Sequence, residues 1–385
     1  MYPHPSRKEE NFFVALPPLQ KKIIYLDQMV ISNMMKSIQP QNEGKPEFKM
    51  WKDLFDILSK LSQLQLICCP RSELHTQESV VSPFFEALKE MYYRLGSGIS
   101  FSDFQTIKRR QFWKSYEVEV GAAGVCEIAI KVLEKDPNIW NDRIMIMSTG
   151  KWADEWIESQ RKEREAIHLG MKNLFDKRKQ ESSRTFQDWY QIEIQEHGRL
   201  IVNEFVSFGM RQQELYDGIR LPSANDMWGP PNLAQIFIDL VDIGKNHGLE
   251  PDEQTAAPVR FLNSKAIEDI PHVKLAALLH AAIAREGASG RTKPPNQGMY
   301  NDIELVSVLL PYCDAMFLDN GCAEYLAQNP LNQNLYRSSI YCQNSMTGFF
   351  EYLHKLESNC APNHLQAVKE VYGINPVCSS PCIER

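Results

Sequence analysis

The chain has 385 residues, 43% apolar and 24% charged, which excludes global disorder and exceeds one average domain. Its formal net charge of −7 rules out a nucleic-acid footprint spread over the whole surface, so any such binding needs a local basic groove. Nine cysteines without regular spacing do not form a secreted disulfide framework.

Residues 1–20, rich in proline and polar groups, read as a surface arm. Their opening, MYPHPSRKEENFF, lacks the apolar core of a secretory signal, and no apolar run is long enough to span a bilayer. A soluble, cytoplasmic protein without membrane partners is expected. KKIIYLD then reads as a short buried strand stopped by Asp27, and QMVISNMMKSI, apolar at helical spacing and stopped by Pro40, as the helix after it. Beyond a polar loop, a second helix carries Trp51, Leu54, Phe55, Leu58 and Leu61 on one face, and LQLICC reads as a second strand. Pro70 ends that strand, and Ser72 stands at the N-cap of a helix reading ELHTQESVVSPFFEALKEMYYRL.

From about 96 to 258 the texture changes to polar segments of helical periodicity, an α-helical insertion whose charge runs read as solvated faces. The α/β texture then returns. FLNSKAIEDIPHVKLAALLHAAIAR contains a helix, EGASGRTKPPNQG is a loop, Asn301 can cap the helix DIELVSVLLPY, and DAMFLD is a strand stopped by Asp319. LYRSSIYC reads as a further strand and MTGFFEYLHKLES as a closing helix. Cys378 and Cys382 lie close together, but no second pair completes a zinc set. The expected fold is α/β, a mostly parallel sheet flanked by helices: first part 21–95, helical insertion 96–258, second part with the tail 259–385.

In an open α/β sheet, ligands collect outside the carboxyl ends of the strands. Asp27 and Asp319 each close a strand there, Glu78 lies in the helix after the second strand, and Asp302 starts the helix feeding the late strand. Four carboxylates suit one or two Mg²⁺ or Mn²⁺ ions, hard cations that take oxygen ligands. Two such ions about 4 Å apart can drive phosphodiester cleavage. Glu73 competes with Glu78, and Glu304 with Asp302, although two residues round a helix place Glu304 about 200° away. Asp314 precedes the strand and is a candidate additional metal ligand or hydrogen-bond partner.

These residues, in IIYLDQMVIS, in PRSELHTQES with Ser72, His75 and Glu78, and in NDIELVSVLLPYCDAMFLDN, resemble the PIN-like nuclease superfamily. The resemblance covers roughly 20–95 and 260–357. It implies a PIN-like, Rossmann-like fold in which Asp27, Glu78, Asp302 and Asp319 are the catalytic, metal-binding carboxylates of a metal-dependent nuclease, an endoribonuclease, with RNA favoured over DNA as partner. Roles in RNA processing, toxicity or defence all fit. Met29 stands where toxin-type members carry Asn; Asn33, Asn301 or Asn320 could replace that amide.

Substrate contacts are sought in Arg291 and Lys293, on the loop before Asp302, in His75, and in IKRRQFWKSY, where Arg109 and Arg110 alternate with aromatics that could stack bases. The competing reading is a non-catalytic scaffold whose helical insertion carries a surface for a protein partner or a second copy. A haloacid-dehalogenase-type phosphohydrolase would need Asp where Met29 stands.

Overall fold

The computed structural model describes residues 16–121, 131–141, 154–181, 183–222, 229–295, 298–333 and 335–373. Most of the amino-terminal arm and the Cys378–Cys382 pair lie outside them. The first part runs β1 (Lys22–Leu26), α1 (Gln28–Ser37), α2 (Pro46–Gln63), β2 (Ile67–Cys68), α3 (Glu73–Val80) and α4 (Phe85–Gly96). Five helices follow: α5 (Phe104–Glu119), α6 (Asp154–Lys179), α7 (Phe186–Tyr216), α8 (Asn232–Asn246) and α9 (Glu253–Leu262). The chain closes with α10 (Pro271–Ala288), α11 (Met299–Leu309), β3 (Ala315–Phe317), α12 (Asn320–Leu326), β4 (Ser339–Tyr341), α13 (Met346–Ser358) and α14 (Pro362–Tyr372).

The four strands make one parallel sheet ordered β2-β1-β3-β4. Side chains alternate across it, because successive Cβ atoms of a strand point to opposite faces. Ile24, Leu26, Ile67, Ala315 and Phe317 enter one core with α1, α2, α4 and α13. Tyr25, Cys68, Met316 and Leu318 enter the other, with α10, α11 and α12. Both faces are therefore covered, as a parallel sheet requires.

The helical middle shares that second core. Phe112, Tyr116, Trp189, Ile201 and Phe237 lie in one apolar cluster with Tyr25 and Met316 of the sheet. The link is α10, whose buried Ala276, Ala277, Ala281, Ala282 and Ala284 let neighbouring backbones approach. Gly198 of α7 shows how near they come: a Cβ there would stand 1.8 Å from the Leu262 carbonyl oxygen.

Three local expectations change. The helix expected from Glu73 to Leu95 breaks into α3 and α4 at Val81–Phe84, because Pro83 lacks the N–H an interior turn needs. The helix expected to start after Asn301 begins earlier, at Met299, so Asn301 sits inside its first turn rather than capping it. Finally, α14 follows the helix expected to close the fold. No helix among the described residues is long and apolar enough to cross a membrane.

Candidate active site

The strand order creates one distinctive edge. From β1 the chain crosses to β2 through α1 and α2 on one face, whereas from β3 it crosses to β4 through α12 on the other. Between β1 and β3 the crossovers part, which opens a crevice at their carboxyl ends, the usual ligand site of such sheets. Leu26 pairs with Phe317, and the Asp27 N–H donates to the Phe317 carbonyl at 2.9 Å, which brings Asp27 and Asp319 to adjacent strand ends.

Both aspartates start helices. Asp27 Oδ1 accepts from the Gln28 amide at 2.7 Å and caps α1; Asp319 Oδ1 accepts from the Cys322 amide at 2.6 Å and caps α12. Glu78 comes from α3, where the Asn301 side-chain amide donates to its Oε1 at 2.9 Å. Asp302 lies in the first turn of α11, next to that amide.

The four carboxylates share one electrostatic field. Burial pushes Asp27 up to about 7, with Glu78 and Asp319 adding to it against the Gln28 and Met29 amides. Asp302 is pushed up to about 9 by burial, then by Asp27, Asp319 and Glu78. Burial also raises Glu78, offset by Asn301 and by the positive charge of Arg164. Loss of water is the largest cause in each case, and repulsion between like charges adds to it at Asp27 and Asp302.

Beneath them lies a three-ring stack. The His75 ring packs on Tyr25 at 4.9 Å and on Tyr92 at 4.6 Å between centroids. Its Nδ1 accepts from the Ser72 amide at 3.1 Å while Ser72 Oγ accepts from the His75 amide at 3.3 Å, a reciprocal cap that fixes the start of α3. Burial drives His75 down to about 3, so the ring stays neutral. Its Nε2 and the Tyr92 hydroxyl are buried without a hydrogen-bond partner among the described residues.

The donor chemistry fits a hard divalent cation, being all carboxylate oxygen. As the side chains stand, no three His, Cys, Asp or Glu among the described residues are arranged to hold a metal ion. Asp27 and Asp319 are turned to helix amides and Glu78 to Asn301, which accounts for the open arrangement.

The other expected residues separate clearly. Glu73 accepts from Gln77 at 3.2 Å on another side of α3, and Glu304 pairs with Lys108, so Glu78 and Asp302 are the members of the cluster. Asp314 is corrected as a metal ligand and takes its other expected role, a hydrogen-bond partner: it sits at the amino end of β3, accepting from Lys22 Nζ and the Ile23 amide at 2.8 Å each, roughly 17 Å of extended chain from Asp319. His75 is buried in the stack rather than offered to substrate.

Arg109 is corrected too. It makes two bonds to Asp239 of α8, at 2.6 and 3.0 Å, and lies over Trp113, whose Nε1 also donates to Asp239. Arg110 donates to the Lys131 carbonyl, and Phe112 and Tyr116 are buried. Within IKRRQFWKSY, then, Phe112 and Tyr116 pack in the core and Arg109 and Trp113 are bonded to α8, while Lys114 is exposed. Arg291 is tied to Glu286 and to the Tyr325 hydroxyl, and Lys293 is exposed. Of the three amides that could replace the one missing at Met29, Asn301 reaches the cluster; Asn33 contacts Met29 sulfur, and Asn320 accepts from the Asn344 amide.

Arg164 is the residue the sequence reading missed. It lies in a long charged stretch of α6 read as a solvated face, and no spacing marks it out. The chain matches no protein-family model, no curated protein and no solved structure.

Proposed function

We propose that the chain is a metal-dependent nuclease of PIN-like fold that hydrolyses phosphodiester bonds, in single-stranded or structured RNA before DNA. One observation carries this reading: carboxylates at the ends of β1 and β3 and on α3 and α11 come together at the switch point, where Asp27 and Asp302 are held protonated first by burial and then by their acidic neighbours. Buried carboxylate charge of this kind is costly, and a divalent cation is a partner suited to it.

Asp27, Glu78, Asp302 and Asp319 would hold Mg²⁺ or Mn²⁺. When bound, such ions activate water and stabilise the leaving oxygen of phosphodiester cleavage. The protein's own part is positional. The helix caps hold Asp27 and Asp319, Asn301 orients Glu78, and the Tyr25–His75–Tyr92 stack gives a floor with little room to yield.

The test is cleavage of labelled single-stranded RNA, single-stranded DNA and folded tRNA with Mn²⁺, Mg²⁺ or EDTA, beside Asp27→Asn. Asn is also a good N-cap, so the variant should fold. Metal-dependent cleavage lost in the variant is the expected result, and wild-type activity in it would refute the assignment.

A second reading, a non-catalytic scaffold, is favoured by the absence of a ready-made metal arrangement among the described residues and by the capping work of Asp27 and Asp319. It anticipates no Mn²⁺ heat in titration calorimetry of wild type or Asp319→Asn. The nuclease reading anticipates binding by wild type that weakens in the variant.

A further inference from the structure

We propose that Arg164 of α6 grips a substrate phosphate beside the four carboxylates, so that the helical middle of the chain supplies the phosphate-binding wall of the site. The inference rests on the nuclease reading and adds the residue that holds RNA.

Arg164 Nη2 donates to the Gln77 carbonyl at 2.7 Å, one residue before Glu78. That bond anchors a guanidinium from one part of the chain against the helix that carries a site carboxylate, 87 residues away in sequence. The same charge pulls Glu78 downward, which places the cation within the field of the cluster.

Several other cations are already paired. Arg109 is bonded to Asp239, Lys108 to Glu304, Arg291 to Glu286, Arg178 to Glu193 and Lys22 to Asp314. Arg164 makes no ion pair among the described residues, and its one hydrogen bond there uses a single nitrogen of the fork, on a neutral carbonyl. A guanidinium carries five donors in a plane, suited to two oxygens of one phosphate. A chain of net charge −7 with four clustered carboxylates repels RNA at this edge, so a fixed cation here has a specific use.

A mere strut between α6 and α3 is the alternative, and the readouts separate the two. Arg164→Gln, Arg164→Lys and the exposed control Lys114→Gln would be made in the full chain. For each, Mn²⁺ affinity is measured by calorimetry and melting temperature by circular dichroism. Binding of a labelled single-stranded RNA is followed between 50 and 200 mM salt in an Asp302→Asn background, and kcat and KM in the active protein.

The expected result for Arg164→Gln is about tenfold weaker RNA binding, a salt slope smaller by roughly 0.7, and KM raised with kcat changed by less than about threefold. Mn²⁺ affinity and melting temperature stay as in wild type. Arg164→Lys keeps the slope and loses part of the affinity, and Lys114→Gln changes neither.

An unchanged slope and KM in an enzyme that still cleaves with metal would overturn the inference and leave the nuclease standing. Lost Mn²⁺ affinity or a lowered melting temperature with an unchanged slope would overturn it in favour of the strut. A wild type that neither binds Mn²⁺ nor cleaves RNA would remove the nuclease reading, and the grip with it.

Discussion

Asp302 bears the strongest conflict at the edge of the sheet, because burial and three carboxylates all oppose its charge. Asp302→Asn should lower metal-dependent cleavage by more than about 100-fold, as loss of a ligand does at least as much as loss of a supporting partner. The same change should raise the melting temperature in EDTA at pH 8 and raise it less at pH 5. The sign follows from the protons. Asp27 and Asp302 keep theirs in the native state up to about 7 and about 9, while the unfolded chain releases them near the ordinary carboxylate value. Native protein therefore binds more protons across that window, and stability without metal falls as pH rises through it. Melting curves in EDTA across pH 5 to 9 would check this, and a flat profile would contradict it. Asn301→Ala should cost roughly 10- to 100-fold in cleavage by freeing Glu78. Asp27 and Asp319 were legible because each ends an apolar run. Which amide serves Glu78 was not, since that contact closes 223 residues of sequence.

Elements show why some readings held and others did not. β1, β2 and β3 are short but bury apolar residues on both faces, so their runs stood out against polar surroundings. In α3, five residues separate Glu73 from Glu78, about 140° around the helix, enough to send one outward and one to the crevice. The break before α4 was hidden because VVSPFF reads as continuous apolar helix until the backbone donor missing at Pro83 is counted. The stretch of α5 read as an RNA contact has the right residue types, and two of them, Arg109 and Trp113, join it to α8. Asp239 receives Arg109, Trp113 and Gln235 together. Asp239→Ala should cost about 2–3 kcal/mol in urea unfolding, since it strands a guanidinium and an indole N–H. RNA affinity should not change. Unaltered stability would remove the latch. Gly198→Ala should be more damaging than an ordinary surface change, because α7 and α9 touch through backbone at that point.

At the scale of the molecule, four histidines set the response to acid. Burial lowers His75 to about 3, His197 to about 4 and His280 to about 3, and drives His272 well down. Their stability contribution is complete above the unfolded value near 6.5 and is lost as pH falls toward the folded values, with Asp27 and Asp302 offsetting part of the loss in metal-free protein. His280→Leu should flatten the acid limb by one proton, about 1.4 kcal/mol per pH unit, and should relieve the buried Nδ1 that has no partner among the described residues. Urea midpoints at pH 4.5 and 6.5 would measure it; an equal drop in variant and wild type would count against the assignment. The histidine pattern was invisible in sequence, because burial of each ring depends on helices far apart along the chain.

The pairing of β1 with β3 also orders events during synthesis. Ile23 and Asp314, bonded across that pair, are 291 residues apart. At 5–20 residues per second, a ribosome takes roughly 15–60 s to deliver the partner strand after β1 emerges. Through that interval β1 has only β2 beside it and presents an open edge to other nascent chains. The first strand of the sheet thus waits for nearly the last, and the carboxylate edge between β1 and β3 cannot assemble until translation is nearly over.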